Sequence, residues 1–253
     1  MISERAFARS FNSFWNELLP LLNRNFVSIF NAAYQHSLVD SGGATPEIIP
    51  IPVTLEHPDI VAEFAFRLAR LAYCDRIPLD QIELLEAIVS EAKVEALSLI
   101  QKYEGEKADN NLVISQDEQA EGIRLCKRYQ LLYAAFSNDS QVEFCPKFRG
   151  AGFLDSCEGD LGISNCLVEV KTTVRKSSSK DLRQILVYLA LDANAGNKRW
   201  KELGLFNPRR GTLHRINIDV LVLRLSGGRP PSDVFSDLIS FAELNELIVD
   251  KQF

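Results

Sequence analysis

The chain is poor in several residues that would narrow its chemistry quickly. Its 253 residues include one methionine, three histidines and two tryptophans. The five cysteines (Cys74, Cys126, Cys145, Cys157 and Cys166) are odd in number and none forms a CxxC pair. That spacing suggests neither a disulfide framework nor a zinc knuckle, and the cysteines read as small core residues. No run of 18 apolar residues occurs, and the basic stretch, apolar stretch and small-residue cleavage site of a secretory leader are missing from the first residues. No membrane partner and a cytoplasmic location are therefore expected. A GxxxxGK[ST] phosphate loop is also absent, so the chain is not expected to be its own motor.

What is present is the composition of a soluble globular protein, 46% apolar and 25% charged, long enough for one large domain or two modest ones. The net charge of −6 is unevenly placed: residues 171–215 hold 11 basic against 3 acidic side chains, a local +8 on a remainder of −14. A solvated helix face and loop would account for this. So would a basic rim for phosphates on a body whose acidity limits indiscriminate binding. In the second case Arg175, Lys176, Lys180, Arg183, Arg209 and Arg210 are the candidates to meet nucleic acid.

Periodicity divides the chain into two regions, 1–114 and 115–253. The first reads as helical, with Phe7, Phe11, Phe14, Trp15, Leu18, Leu19 and Leu22 on one amphipathic helix that Pro20 kinks. "PDIVAEFAFRLARLAYC" and "PLDQIELLEAIVSEAKVEALSLIQKY" predict two more helices, each opened by proline. The polar stretch 104–116 is the expected boundary. Beyond it, Ser115 and Glu118 have capping-box spacing at the head of a helix. "VEFCPKF", "EGDLGI" and "CLVEVKTT" then read as strands, "SSSKDLRQILVYLAL" as a helix and "RINIDVLVLRL" as a central strand. The predicted order from 115 is α, β, β, β, α, β.

The chemistry sits in the strands. A two-residue loop at Ser164-Asn165 sets Ile163 opposite Cys166, Asp160 opposite Glu169 and Glu158 opposite Lys171. Opposed side chains share a face with Cβ atoms about 4.5–5.5 Å apart, so two carboxylates converge and call for a raised pKa or a cation. Oxygen ligands with room for water suit Mg²⁺ or Mn²⁺. Lys171 follows on the same face, while Val168 and Val170 pack on the other. A surface strand with a Glu158–Lys171 pair and no metal is the plainer alternative.

"GD…VEVK" in that element order resembles the PD-(D/E)xK phosphodiesterase superfamily, and Gln184 and Tyr188 in "QILVY" resemble the QxxxY motif of its RecB-like branch. The resemblance covers roughly 115–225. It implies an α/β restriction-endonuclease-like αβββαβ core and Mg²⁺- or Mn²⁺-dependent hydrolysis of DNA, with endonuclease slightly favoured over exonuclease. Asp160 and Glu169 would hold the metal, Lys171 would assist the attacking water, and Gln184 and Tyr188 would lie near the centre. "GFLD" makes Asp155 a rival for Asp160; Glu158 is a further possible ligand, and Glu121 or Glu118 could supply the glutamate that family members often carry on the first helix. The helical front is expected to dock a partner, dimerise or shape a substrate channel, so a homo-oligomer or a complex with a separate motor or recognition subunit in defence or repair is implied. The alternatives are a catalytically silent scaffold of the same fold and an RNase with the same chemistry. A metal-free histidine mechanism would have His214 alone to draw on near the basic segment.

Overall fold

The computed structural model describes residues 1–36, 38–39, 43–53, 55–104, 112–137 and 139–245. They form a mixed α/β fold around a six-stranded sheet. The strands are β1 (Gln35–His36), β2 (Val142–Phe144), β5 (Leu161–Ile163), β6 (Cys166–Val170), β7 (Glu202–Asn207) and β8 (Thr212–Asn217), in the order β1-β8-β7-β6-β5-β2. Only β6 and β7 run parallel; every other pair is antiparallel. A separate ribbon joins β3 (Lys147–Phe148) to β4 (Cys157–Glu158).

Side-chain alternation gives the sheet two apolar faces, each covered by helices. Leu167, Leu203, Leu205 and Ile216 face α8 (Ser179–Asn194), α9 (Ile218–Ser226) and α10 (Pro231–Leu244), together with α1 (Glu4–Arg9), α2 (Asn12–Leu18) and α3 (Arg24–Ala33). Cys166, Val168, Phe206 and Leu213 face α4 (Pro58–Cys74), α5 (Glu86–Glu104), α6 (Gln116–Lys127) and α7 (Tyr129–Ala134). Residues from before and after position 114 thus share both cores, and β1 extends the sheet. Of the expected boundary at 104–116, residues 105–111 lie outside the described residues.

Several elements differ from expectation for local reasons. The single helix expected over 7–22 is broken at Ser10-Phe11: the Ser10 N–H closes α1 on the Ala6 and Phe7 carbonyls, and Phe11 takes φ +52°. That turn lays the Phe11 ring against Phe153 and Phe241 at 5.6 and 5.5 Å. The helix expected from Pro78 begins at Glu86, after one 3₁₀ turn at Ile82–Leu84. The capping box at Ser115 and Glu118 forms, but the helix it opens divides at Arg128, whose guanidinium donates to the Glu47 carbonyl. "VEFCPKF" divides at Cys145-Pro146 between the sheet and the ribbon.

The largest correction falls on "RINIDVLVLRL". Only its first three residues are strand; the Asn217 side chain accepts from the Val220 N–H at 3.1 Å and opens α9. Ile218, Leu221, Val222 and Leu225 are buried along one helical face. The strand that runs parallel to β6 is β7, "ELGLFN", which sequence reasoning passed over.

Candidate metal and phosphodiester centre

The β5–β6 hairpin has the expected register: Ile163 pairs with Cys166, Gly162 with Leu167 and Leu161 with Val168. Its loop is Ser164-Asn165, with Ser164 at φ +54°, the left-handed value that tight hairpins require of a central residue. One step past the last bonded pair, the register sets Asp160 opposite Glu169. There the sheet opens. The Asp160 carbonyl accepts from Cys145 N–H at 3.0 Å, and its Oδ2 accepts from Val170 N–H at 2.6 Å.

Glu169 points to the α8 side, between the buried Leu167 and the half-buried Lys171. Lys171 Nζ donates to Glu169 Oε1 at 2.7 Å and to Gln184 Oε1 at 2.8 Å. Gln184 Nε2 in turn donates to the Tyr188 hydroxyl at 3.0 Å, across one turn of α8. Four of the five residues singled out by spacing and resemblance are therefore joined by hydrogen bonds at one end of the hairpin, and the register sets Asp160 opposite Glu169. Glu169 is only 2% exposed, and its Oε2 is buried with no hydrogen-bond partner among the described residues.

Burial and the neighbouring Asp160 carboxylate together push the Glu169 carboxyl up, over the opposing pull of Lys171, to about 8. Asp160 is raised as well, by desolvation first, with Lys171 and the Val170 N–H opposing. Burial raises the Tyr188 phenol, so Tyr188 is a proton donor here and not a base. An acidic pair of one buried and one half-buried carboxylate, with one lone oxygen, is an incomplete electrostatic arrangement. It favours an additional proton or a cation.

Sequence reasoning missed three contributors, all from the helical front. Glu4 Oε1 accepts from Gln184 Nε2 at 3.1 Å and from the Tyr188 hydroxyl at 3.2 Å. Arg5 stands in the field of Glu169, Tyr188, Glu4 and Asp160, which raise its guanidinium pKa against the desolvation that opposes them. Glu63, held by Arg67 Nε at 2.6 Å, adds to the upward pressure on Asp160. No local spacing could have found these residues, because their proximity is a product of helix packing.

Other expected members lie elsewhere. Glu158 pairs across the ribbon with Lys147 at 3.7 Å, not with Lys171, because Gly159 and Asp160 separate β4 from β5. The backbone N–H of Asp155 donates to Ile2 O in a bridge to the first residues. Glu118 caps α6 and accepts from His57. Glu121 accepts from Arg209 Nη1 at 2.5 Å inside the α6–sheet layer. This removes Arg209, 0% exposed, from the basic rim. Arg183 is likewise buried, stacked on Trp15 and donating to Asn12. His214 stacks on Phe30 in the core, and burial lowers its pKa.

Of the remaining cations, Lys176 and Lys180 are exposed, Arg175 is bidentate to Asp181, and Arg210 donates to the Val174 carbonyl. They mark out the loop leading into α8. On the other side of the hairpin an open groove of about 1320 Å³ is lined by Arg67, Arg70, Arg76, Tyr73, Tyr133 and Phe144 and reaches Cys145 and Glu158. Among the described residues, no three or more His, Cys, Asp and Glu side chains gather as a ready metal cage, and no helix is long and apolar enough to cross a membrane. Compared with protein-family models and with curated proteins, the chain matches none.

Proposed function

We propose that this protein is a divalent-metal-dependent nuclease of the PD-(D/E)xK type that hydrolyses DNA phosphodiester bonds, working with partner proteins in a defence or repair system. The observation that carries the reading is the lone buried Oε2 of Glu169, next to Asp160 and within reach of Lys171. A carboxylate pair fits Mg²⁺ or Mn²⁺, which keep several waters and take substrate phosphate oxygens as ligands. Asp160 and Glu169 would hold the ion. When bound, the divalent ion supplies Lewis-acid polarisation of a phosphoryl oxygen and a water of lowered pKa.

The chain's own residues supply the rest. Lys171, tethered between Glu169 and Gln184, is placed to orient the attacking water or to neutralise charge growing on the phosphoryl oxygens. As the water oxygen bonds to phosphorus, the bond to the leaving sugar oxygen breaks. Arg5 offers a second cation on the same side. The element order α6, β2, β5, β6, α8, β7, with an antiparallel hairpin followed by a parallel strand, is compatible with the restriction-endonuclease-like core implied by the sequence motifs.

The decisive experiment is nicking of supercoiled plasmid, with labelled single-stranded DNA and RNA in parallel, in Mg²⁺, Mn²⁺ or EDTA. Cutting in Mg²⁺ or Mn²⁺ that stops in EDTA and in Lys171→Ala is expected. Metal-dependent cutting that survives both Lys171→Ala and Glu169→Gln would remove the reaction from this site. Preference for the RNA arm would retain the chemistry and reassign the substrate.

A further inference from the structure

The orientation of the Gln184 amide is favoured by Lys171 at its oxygen but left ambiguous by Tyr188 at its nitrogen. An ammonium only donates, so the amide must present its oxygen to Lys171 and its nitrogen away from it. The nitrogen then needs acceptors. Tyr188 is an ambiguous partner: its hydroxyl accepts from Gln184 Nε2 in the observed arrangement, yet it could equally donate to the amide oxygen if the amide turned over. Turning over would point an NH₂ group at the ammonium and release Lys171.

Glu4 removes that ambiguity. Its Oε1 accepts both from Gln184 Nε2 and from the Tyr188 hydroxyl, so the tyrosine proton is committed and its lone pair faces the amide nitrogen. The carboxylate is itself well anchored. Ser3 caps the helix that bears it, Ile2 N–H donates to Phe153 O at 2.8 Å, and Asp155 N–H donates to Ile2 O at 3.0 Å. Phe7, on the next turn, is buried against Trp15 and Phe153 at 5.2 and 5.5 Å. Phe148 stacks on Tyr188 at 5.1 Å and fixes the ring.

We propose that Glu4 is a positioning residue, a carboxylate from the helical front that sets the orientation of the Gln184 amide and thereby holds Lys171 against Glu169. This rests on the proposed nuclease reading for its consequence in catalysis, but not for its geometry. Partners of this kind, one step removed from a reacting group, change activity about 10–100-fold when lost.

The experiment compares Glu4→Met, which fills the space without an acceptor, with Glu4→Gln, which restores an acceptor oxygen and no charge. In metal-free ¹⁵N-labelled protein, Glu4→Met is expected to shift the Gln184 side-chain amide signals and speed their solvent exchange, whereas Glu4→Gln keeps them near wild type. In Mg²⁺, Glu4→Met is expected to lower kcat about 10–100-fold with KM little changed, with recovery in Glu4→Gln. Should Glu4→Met fail to fold, Glu4→Asp, which withdraws the acceptor by one methylene, is expected to move the same signals. Folded Glu4→Met or Glu4→Asp with unchanged Gln184 signals overturns the proposal. If the amide signals move while the wild-type protein cuts nothing, the nuclease reading fails and the positioning role stands. If the protein cuts and kcat ignores both substitutions, the reverse holds.

Discussion

The buried Glu169 carboxyl beside Asp160 has a measurable signature before any substrate is added. In the folded protein Glu169 releases its proton at about 8 instead of at the ordinary 4.5, so the folded state holds more protons than the unfolded chain between those values. The contribution of this group to stability is therefore full at low pH and is lost as pH rises through that window. In EDTA, the melting temperature of the wild type relative to Glu169→Gln is expected to fall from about pH 5 to about pH 9. Mg²⁺ should flatten the fall by replacing the proton, and its affinity should rise with pH because binding releases that proton. A pH-independent difference between the two proteins would contradict the raised carboxyl. In the nicking assay, Glu169→Gln and Lys171→Ala are each expected to lose about 100-fold or more in rate, since in the proposed reaction one would remove a metal ligand and the other the cation beside it. That Asp160 and Glu169 oppose each other beside Lys171 was legible because strand alternation is a local rule, and Gln184 and Tyr188 entered through the QxxxY resemblance, whose i,i+4 spacing sets both on one helical face. Glu4, Arg5 and Glu63 were not legible, because only tertiary packing brings them there.

The hairpin that carries the pair depends on what covers its other residues. Gly162 lies under Trp200, and a Cβ at that position would stand 2.4 Å from the indole ring. Trp200 cannot easily yield: it is 8% exposed and covered by the Arg199 guanidinium at 4.7 Å, which is bound to Glu143 and Asp192. Gly162→Ala is expected to cost about 1–3 kcal/mol by overpacking, read as a lower urea midpoint with unchanged slope. An unchanged midpoint would mean the indole relocates freely. Element type was readable where one period dominated, as in α4, α8 and β6. It was misread at "RINIDVLVLRL" because a short apolar run fits either a buried strand or a helix face. The deciding signal was present: Asn217 is a good N-cap, and 218, 221, 222 and 225 keep helical spacing. Phe11 is a different case, since an aromatic residue in the left-handed region is dictated by the ring cluster it joins and by nothing in its immediate sequence.

Across the whole molecule, the excess of basic residues over 171–215 is smaller at the surface than in the sequence. Burial withdraws Arg183 and Arg209, and Arg175 is held by Asp181, an acid that the count already includes. Linear charge counting cannot separate a cation that meets phosphate from one that holds two layers together. The two kinds respond to different measurements. Lys176 and Lys180, exposed at the entry to α8, are expected to contact the DNA backbone, so Lys176→Ala with Lys180→Ala should reduce the slope of log affinity against log salt by about 2 while leaving stability within ~0.5 kcal/mol. Arg209→Met should do the opposite. It strands the buried Glu121 carboxylate and is expected to cost about 3–5 kcal/mol in denaturant unfolding, with the salt slope unchanged for whatever fraction remains folded. Binding measured in EDTA, which would suppress the proposed metal-dependent cutting, makes the comparison clean. If the slope responds to Arg209→Met and not to the two lysines, DNA does not approach along the α8 entry. The groove beside Cys145 and Glu158, with Arg76 exposed on its wall, then becomes the route to the hairpin.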